Sequence, residues 1–326
     1  PGGSISSGHM VASVIIETMD YNMRDPEQPD ADLISYAAGH KALGLYAMWA
    51  SRNEMVRIGQ PDLLPKPDKQ LRLEDMLGFR RNPVQNTPLF KKFNAKALDG
   101  HPTPSTPFLK LSTGASGVGV PSSFGLALGA LDKYGNDAPR VHVIEGEGGL
   151  TPGRTSEALA AAATAQLTNL TLHLDWNQSS IDSDRVCREG DKPGEYVQWN
   201  PLEYFYLHDW NVIWVPEGLD FDMVIRAQQI AKEGLSDQPT AIIYRTTKGW
   251  KYGMEGRISH GAGHKFCSPE YYQSLKEFED SFGVQFPRFE EDKSPVAVEQ
   301  NFYNTLMVLR KIAEQEKDMS GYVGKR

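Results

Sequence analysis

Two short polar segments carry side chains suited to binding a divalent cation. Glu147 stands between two glycines after the β-branched run at 140–144, and Asn177 lies thirty residues later, beyond the apolar run at 170–174. Ligands of open α/β sheets bind beyond the carboxyl ends of the strands, so both segments are predicted to meet at one edge. A carboxylate, an amide oxygen and a nearby backbone carbonyl suit Mg²⁺, which prefers oxygen ligands and often retains phosphates among them. The glycines would let the main chain approach a diphosphate closely.

Three histidines stand in or beside segments that contain glycine or proline. They are His40, His101 and His260. An imidazole can titrate near neutral pH, which suits a proton relay. His40 also adjoins an apolar helical segment, so a hydrogen-bonded core histidine is the alternative at that position. His260 and His264 have the i, i+4 spacing of a zinc pair, but the intervening Gly261 and Gly263 oppose the helix that such a pair needs.

Alternating strand and helix patterns organise most of the chain. The predicted strands are the apolar runs at 140–144, 170–174, 212–215 and 240–244. The predicted helices around them lie at 122–131, 154–167, 201–208 and 221–233. This alternation predicts an α/β fold with a doubly wound parallel sheet and flanking helices.

The two ends of the chain follow different patterns. Apolar spacing predicts an opening helical pair at 11–24 and 32–52, whereas residues 59–100 are polar and proline-rich, which predicts an irregular insertion. From about residue 286 the sequence is rich in proline and charge, and one long helix is predicted after residue 270, at 296–316. We therefore predict one main domain at 1–280, and at 281–326 a linker and helix that lead to or contact a second domain or subunit.

Composition argues against two classes of partner. Of 326 residues, 40% are hydrophobic and 23% are charged, and the formal net charge is -8 with a pI near 5.6. The acidic balance opposes nucleic acid binding, and no run of about 18 apolar residues predicts a membrane span. Cys187 and Cys267 fit neither a disulfide framework nor a zinc site and are expected to be inert, which makes a reducing cytoplasm the expected location.

These segments resemble those of a known enzyme family. A Gly-Asp-Gly segment followed by Asn about thirty residues later is the thiamine diphosphate motif, and the chain is similar to transketolases over most of residues 1–270. By this resemblance Glu147, Asn177 and the carbonyl of Ser179 would hold the Mg²⁺ that bridges the cofactor's diphosphate. Ile181 would pack on the thiazolium ring, and Gly146 and Gly148 would lie beside the diphosphate.

Further blocks occur in the order expected of that family. Gly39-His40, Gly100-His101-Pro102 and Ser259-His260-Gly261-Ala262 resemble its active-site histidine segments, and His260 would also contact the cofactor. Residues 113–119 resemble its glycine-rich turn, with Gly114 and Ser116 as cofactor contacts, and Glu157 matches one member of an acidic cluster near the cofactor. The chain begins at Pro1 without an initiator Met, and residues 6–10 are either an expression-tag remnant or native. The resemblance of residues 1–7 to the family's Gly/Ser-rich start favours native sequence.

Three departures separate the chain from the family pattern. Glu147 stands where the metal-binding residue is usually Asp, and its extra methylene moves the carboxylate by roughly one carbon–carbon bond. Pro152 stands where another Glu is usual, and the segment 59–100 is longer than is common. These departures put the affinity for the metal and the coupling of paired sites in question.

The resemblance implies transfer of a two-carbon ketol unit between sugar phosphates, with the bond-breaking chemistry carried by thiamine diphosphate. Family members complete the site with a pyrimidine-binding domain, and no second α/β domain is predicted here. We therefore expect the chain to be the diphosphate-binding half of an obligatory homo-oligomer or hetero-oligomer, either as a fragment or as the N-terminal subunit of a split enzyme. The alternatives are a 2-oxoacid dehydrogenase component, a deoxyxylulose-phosphate synthase-like enzyme, and a catalytically inactive partner-binding module.

Overall fold

The computed structural model describes residues 1–80, 87–261, 263–265, 268–288, 292 and 294–326. In this part of the chain, five parallel strands form one sheet in the order β1-β2-β3-β5-β4. The strands are β1 (Leu33–Tyr36), β2 (Val141–Gly146), β3 (Leu170–Trp176), β4 (Asn211–Val215) and β5 (Thr240–Arg245). Gly146 pairs with Asp175 and Trp176 pairs with Arg245, so the carboxyl ends of three strands finish together.

Helices cover both faces of the sheet. They are α1 (Gly2–Ser6), α2 (Gly8–Ser13), α3 (Ala42–Gly59), α4 (Pro88–Lys92), α5 (Gly119–Tyr134), α6 (Gly153–Thr164), α7 (Pro201–Leu207), α8 (Phe221–Glu233), α9 (Pro269–Phe282), α10 (Pro295–Gln315) and α11 (Lys317–Lys325). Within the described ranges, no helix is both long and apolar enough to span a membrane.

Strand residues alternate between two hydrophobic layers. On β5, Ile242 and Tyr244 face the layer formed with α2, α3 and α8, whereas Ala241 and Ile243 face the layer formed with α5, α6 and α7. Side chains of successive strand residues point to opposite faces, so a sheet buried on both sides needs a continuous apolar run. The predicted doubly wound α/β fold is therefore confirmed, and its four predicted strands are all present.

The predicted helix at 32–52 is wrong at its start, because residues 33–36 form the edge strand β1. This run of four residues is too short for apolar periodicity to separate a strand from a helix. Tertiary contacts make this segment a strand, because β1 pairs with β2 and the Ile34 amide donates to the Phe108 carbonyl at 3.1 Å. At the strand entrance, the Asp32 carboxylate accepts from the Arg140 amide at 2.7 Å.

Two other predictions about helices need correction. The helix predicted at 11–24 ends early, because α2 continues only into one π-helical turn at Val14–Thr18 before the backbone becomes extended at Met19. The helix predicted at 296–316 is present as α10, but the expectation of only one helix beyond residue 270 is wrong, since α9 and α11 are also present. Ser268 caps α9 by accepting from the Tyr271 amide, a capping pattern visible in the sequence.

The insertion at 59–100 and the tail pack against α3. The insertion contains the short turns Pro61–Leu63, Pro67–Lys69 and Leu73–Gly78 followed by α4. Arg310 on α10 forms ion pairs with Glu54 on α3 at 2.7 Å and with Glu74 of the insertion at 2.8 Å. On α11, the Ser320 carbonyl lies 2.4 Å from where a Cβ of Gly59 would stand, so only glycine permits this approach. The predicted boundary at 280 and a contact of the tail with a second domain stay predictions.

Candidate functional site

A cavity of about 360 Å³ opens at the carboxyl ends of β2 and β3. Its lining contains ten of the twelve residues that the sequence singled out, at positions in the loops after β1, β2, β3 and β5. These are His40, Gly114, Ser116, Gly146, Glu147, Gly148, Asn177, Ser179, Ile181 and His260. Segments far apart in sequence therefore meet where an α/β sheet is expected to bind its ligand.

The two remaining candidates lie outside this lining. The His101 ring packs beside the cavity wall, because its Cδ2 lies 2.8 Å from where a Cβ of Gly39 would stand and 2.6 Å from the corresponding position at Gly114. Any side chain at these glycines would displace the ring. Glu157 is exposed on α6 and does not line the cavity, so the structure does not place it among the predicted cofactor contacts.

Glu147 is buried, and one of its carboxylate oxygens has no hydrogen-bond partner among the residues that the structure describes. Its exposure is 2%, Oε2 accepts from the Asn177 backbone amide at 3.3 Å, and Oε1 is the oxygen without a partner. Burial, and then the negative charge of Asp175, raise the pKa of this carboxyl to about 7. A buried acceptor without a donor is costly, and a bound cation would remove the cost.

Asn177 presents its amide in a fixed orientation. Its Nδ2 donates to Asp175 Oδ2 at 2.9 Å, and its Oδ1 accepts from the Ser179 amide at 2.9 Å. The carboxylate can only accept and the backbone amide can only donate, so the two contacts agree on which end of the side chain is oxygen. An oxygen acceptor is thereby held beside Glu147.

Lys248, in the loop after β5, contacts the third predicted metal ligand. Its Nζ donates to the carbonyl oxygens of Ser179 and Ser180, each at 3.0 Å, and it lies 2.9 Å from His260 Nδ1. Burial lowers the pKa of this ammonium to about 8. The sequence reasoning did not select Lys248, although a lysine directly after a strand's carboxyl end is a detectable signal.

Two histidines face each other across the cavity. The rings of His40 and His260 are stacked with their centroids 6.0 Å apart. Burial and the neighbouring Lys41 lower the pKa of His40, and burial and Lys248 lower that of His260. Both rings are therefore neutral near pH 7. Because a lysine ammonium only donates, His260 accepts at Nδ1 and carries its proton on Nε2.

Glu145 and Lys41 are further charged groups that the sequence reasoning missed. Glu145 lines the cavity, and its Oε1 accepts from the Gly146 amide at 2.8 Å. Burial raises the pKa of Glu145 to about 7. Lys41 Nζ forms a buried ion pair with Asp175 Oδ2 at 2.7 Å. A charged residue inside an apolar run such as 141–146 is the signal that marks Glu145 in the sequence.

The donor set fits a magnesium ion in part. Among the residues that the structure describes, no three His, Cys, Asp or Glu side chains are arranged to hold a metal. A mixed oxygen set is present instead, consisting of the unpartnered Glu147 Oε1, the amide oxygen of Asn177 and the carbonyl of Ser179. That carbonyl already accepts from Lys248, so it is the least available of the three. Hard oxygen ligands of this kind suit Mg²⁺.

Pro152 packs against the glycine-rich turn, and Cys187 is buried. Gly117 adopts φ +76°, and a Cβ there would lie 2.6 Å from Pro152 Cβ, so the glycine-rich turn packs directly on this proline. Cys187 is a buried free thiol whose pKa is raised by burial, in line with the inert role expected of it. Cys267 and Ala262 lie outside the described residues. His264 Nε2 lies 2.6 Å from the Tyr252 carbonyl.

Comparisons with known proteins agree with this architecture. A family model described as transketolase, thiamine diphosphate binding domain, matches residues 70–301. Transketolase-like protein 2 of Mus musculus is 30% identical over 250 residues, covering 76% of this chain and 34% of that protein. Human transketolase is 28% identical over 250 residues, covering 76% of this chain and 33% of that protein. The chain thus spans about a third of the length of these curated relatives.

A solved structure shares the fold. Transketolase from Leishmania mexicana matches with a TM-score of 0.67 at 23% identity, covering 97% of this chain and 42% of that chain. The likeness extends over nearly all of the present chain, including the segments beyond the family match at 70–301.

Proposed function

Because this chain belongs to the family of transketolase thiamine diphosphate-binding domains, we propose that it supplies the diphosphate-binding half of a transketolase-like active site. The assembled enzyme transfers a two-carbon ketol unit between sugar phosphates. One observation carries the proposal above all. The buried, unpartnered Oε1 of Glu147 lies in a cavity with Asn177 and two facing histidines, at the carboxyl ends of parallel strands.

The residues on the cavity floor would hold the cofactor's diphosphate and its cation. Glu147 and Asn177 supply oxygen ligands to Mg²⁺, with the Ser179 carbonyl as the third. Gly146 and Gly148 leave the main chain accessible to phosphate oxygens, since among the described residues a Cβ added at Gly148 would meet no atom within 4 Å beyond its two chain neighbours. Gly114 and Ser116 approach from the glycine-rich turn. Ile181, which is 70% exposed, offers an apolar surface to the thiazolium ring.

Thiamine diphosphate, when bound, supplies the electron sink for cleavage of the bond next to the ketose carbonyl. The chain's own residues bind and orient the substrate. His260 donates from Nε2, because its Nδ1 is engaged by Lys248. His40, held neutral, accepts or donates a proton at the opposite wall of the cavity. His101, behind Gly39 and Gly114, completes the set of imidazoles around the substrate oxygens.

The other half of the site comes from a pyrimidine-binding domain or subunit. The exposed side chain of Ile181 lines the cavity, and the exposed Ile258 precedes the cavity residue His260 by two positions; exposed apolar groups of this kind suit burial by a second protein surface. We propose that assembly, as a homo-oligomer or a hetero-oligomer, is obligatory for activity, and that sugar phosphates are the substrates.

Native mass spectrometry with Mg²⁺ and thiamine diphosphate tests this proposal. We expect the chain in a species that also contains a pyrimidine-binding domain and that carries the mass of one cofactor and one metal per site. Ketol transfer between sugar phosphates should follow in a coupled assay. An assembly that gains no cofactor mass would refute the proposed function.

A catalytically inactive partner-binding module is the second candidate. Glu147 in place of Asp and the contact of Lys248 with the Ser179 carbonyl favour it, because both weaken the predicted metal site. A Glu147→Asp variant distinguishes the two. Cofactor binding that appears or tightens in this variant indicates a functional but weakened site, whereas no binding by either protein supports the inactive module.

A further inference from the structure

We propose that Lys41 is a positioning residue that fixes the metal-binding amide of Asn177 through the buried carboxylate of Asp175. The inference rests on the proposed function, because it takes Asn177 as a ligand of a divalent cation. It adds a residue, at the end of the turn Gly39–Lys41, to the machinery that supports the cofactor.

Asp175 is the centre of a fully satisfied buried cluster. Its Oδ2 accepts from Ser6 Oγ at 2.6 Å, Lys41 Nζ at 2.7 Å and Asn177 Nδ2 at 2.9 Å, and its Oδ1 accepts from Thr246 Oγ1. The exposures of the Lys41 and Asp175 side chains are 2% and 0%. The cluster joins the start of the chain, the turn before α3, the end of β3 and the end of β5.

Lys41 supplies the positive charge that pairs with this carboxylate inside the protein. Its Nζ lies 2.7 Å from Asp175 Oδ2, and both side chains are buried. A buried charge that loses its partner is strongly destabilised, and its surroundings rearrange to supply donors. Asn177 Nδ2 is one of those donors, so its position depends on the ion pair.

The orientation of the Asn177 side chain decides whether it can bind a cation. With Nδ2 on Asp175, the opposite end of the amide is oxygen, which accepts from the Ser179 amide and has a second lone pair. A rotated or displaced amide would direct N–H groups at the cation. Groups that orient metal ligands in this way typically change metal affinity by about 10-fold to 100-fold when removed.

Two glycines flank the path of the Lys41 side chain. A Cβ on Gly3 would lie 3.3 Å from Lys41 Cε, and a Cβ on Gly146 would lie 3.5 Å from Lys41 Nζ. The side chain thus passes between two glycines to reach Asp175. It also lines the cavity at Gly146, where the diphosphate is expected.

The test measures binding of Mn²⁺, in place of Mg²⁺, by electron paramagnetic resonance on the complete assembly with thiamine diphosphate at saturation. We expect Lys41→Met to weaken Mn²⁺ binding by about 10-fold to 100-fold. Asn177→Ala should weaken it at least as much. In the Asn177→Ala background, Lys41→Met should add little, because its effect passes through the same amide.

A purely structural role of Lys41 gives a different result. The two substitutions would then add, and Lys41→Met would weaken Mn²⁺ binding equally in both backgrounds. Additive effects, or unchanged Mn²⁺ affinity in Lys41→Met, would overturn the inference. Lys69→Met is the matched control, since it removes a lysine from an exposed ion pair with Glu27 and should leave Mn²⁺ affinity unchanged.

A second variant covers the case in which Lys41→Met does not fold. Lys41→Met/Asp175→Asn removes both charges and retains an oxygen acceptor for Asn177 Nδ2, so it should fold. We expect Mn²⁺ affinity between that of the wild type and that of Asn177→Ala, because a neutral acceptor holds the amide less firmly. Wild-type affinity in this variant would overturn the inference. Absence of any Mn²⁺ binding by the wild-type assembly would instead refute the proposed function, and the inference with it.

Discussion

Acid should remove the stability that a buried neutral histidine, His173, contributes at a position away from the candidate site. His173 Nδ1 lies 2.9 Å from the Tyr244 hydroxyl, and His173 Nε2 lies 3.1 Å from His142 Nδ1. Gln228 Nε2 donates to the Tyr244 oxygen at 3.1 Å, so the phenol proton points to His173 Nδ1. His173 therefore carries its proton on Nε2 and donates it to His142. The other ring nitrogen of His142, Nε2, lies 3.7 Å from Asp32 Oδ2.

The sign of the effect follows from the pKa of His173. Burial, and then the charge of His142, lower this pKa well below 6.5, so the folded protein keeps the ring neutral. The unfolded chain takes up a proton as the pH falls below about 6.5, and the folded chain does not. Stability supplied by the neutral ring is therefore complete above that pH and is lost below it. Because the pKa of the unfolded ring sets the limit, one such histidine costs at most about 2 kcal/mol of unfolding free energy at pH 5.

Urea unfolding at several pH values from 7.5 to 5.0, followed by tryptophan fluorescence, measures this loss. His173→Gln should be less stable at pH 7.5 by about 1 to 3 kcal/mol, because it breaks buried hydrogen bonds. Its stability should then fall less between pH 7.5 and 5.0, by about 2 kcal/mol relative to wild type. His208→Gln is the control, since His208 is half-buried at the end of α7 and should alter the pH dependence less. A wild-type pH dependence in His173→Gln would refute the reasoning.

Three further predictions concern the site and its support. Glu147→Ala should weaken Mg²⁺ binding in the presence of thiamine diphosphate by more than about 100-fold, because removing a ligand costs more affinity than removing a group that only orients one. Isothermal titration calorimetry of the assembly checks this prediction, and an unchanged Mg²⁺ affinity would contradict it. Gly117→Ala should lower the free energy of unfolding in urea by about 1 to 3 kcal/mol, because φ is +76° and the new methyl group would collide with Pro152. An unchanged unfolding midpoint would show that the turn can shift to accommodate the methyl group. Phe205→Ala, at a fully buried ring, should lower the free energy of unfolding by about 3 to 5 kcal/mol. Tyr206→Ala, at the exposed neighbouring ring, should lower it far less, and equal losses for the two variants would argue against the packing described.

The four predicted strands and the helices between them were recognisable, because apolar strand runs alternate there with longer segments of helical spacing. Helix 221–233 has the predicted bounds, since an Asp220 cap and a Gly234 end mark it in the sequence. Strand β1 was not predictable, because its four residues, which include the polar Ser35, acquire strand geometry only by pairing with β2. A short strand is recognised poorly when it runs on into a segment of helical spacing and its pairing partner lies elsewhere in the chain.

The site was predictable to the extent that its residues follow strands or glycines. Glu147, Asn177 and His260 stand at such positions, and the fold brings them into one cavity. Lys41 and Asp175 were not predictable, since a lysine at the start of a helix and an aspartate at the end of a strand are common. Only the tertiary structure shows that they form a buried pair. Glu157 illustrates the opposite case, because the family pattern selected a residue that the fold leaves on an exposed surface.

The close contact between α3 and α11 has a consequence for how motion travels through the molecule. Gly59 and Gly324 bring the two helices to within backbone distance, and Arg52 on α3 donates to the Val323 carbonyl. At Gly59 the nearest atoms are the backbone of Ser320 and Gly321, so a displacement of α11 at this point requires a displacement of the end of α3. The turn before α3 carries His40 and Lys41. A displacement of α11 would therefore be carried along α3 to the turn that holds His40 and Lys41 at the opposite end of that helix.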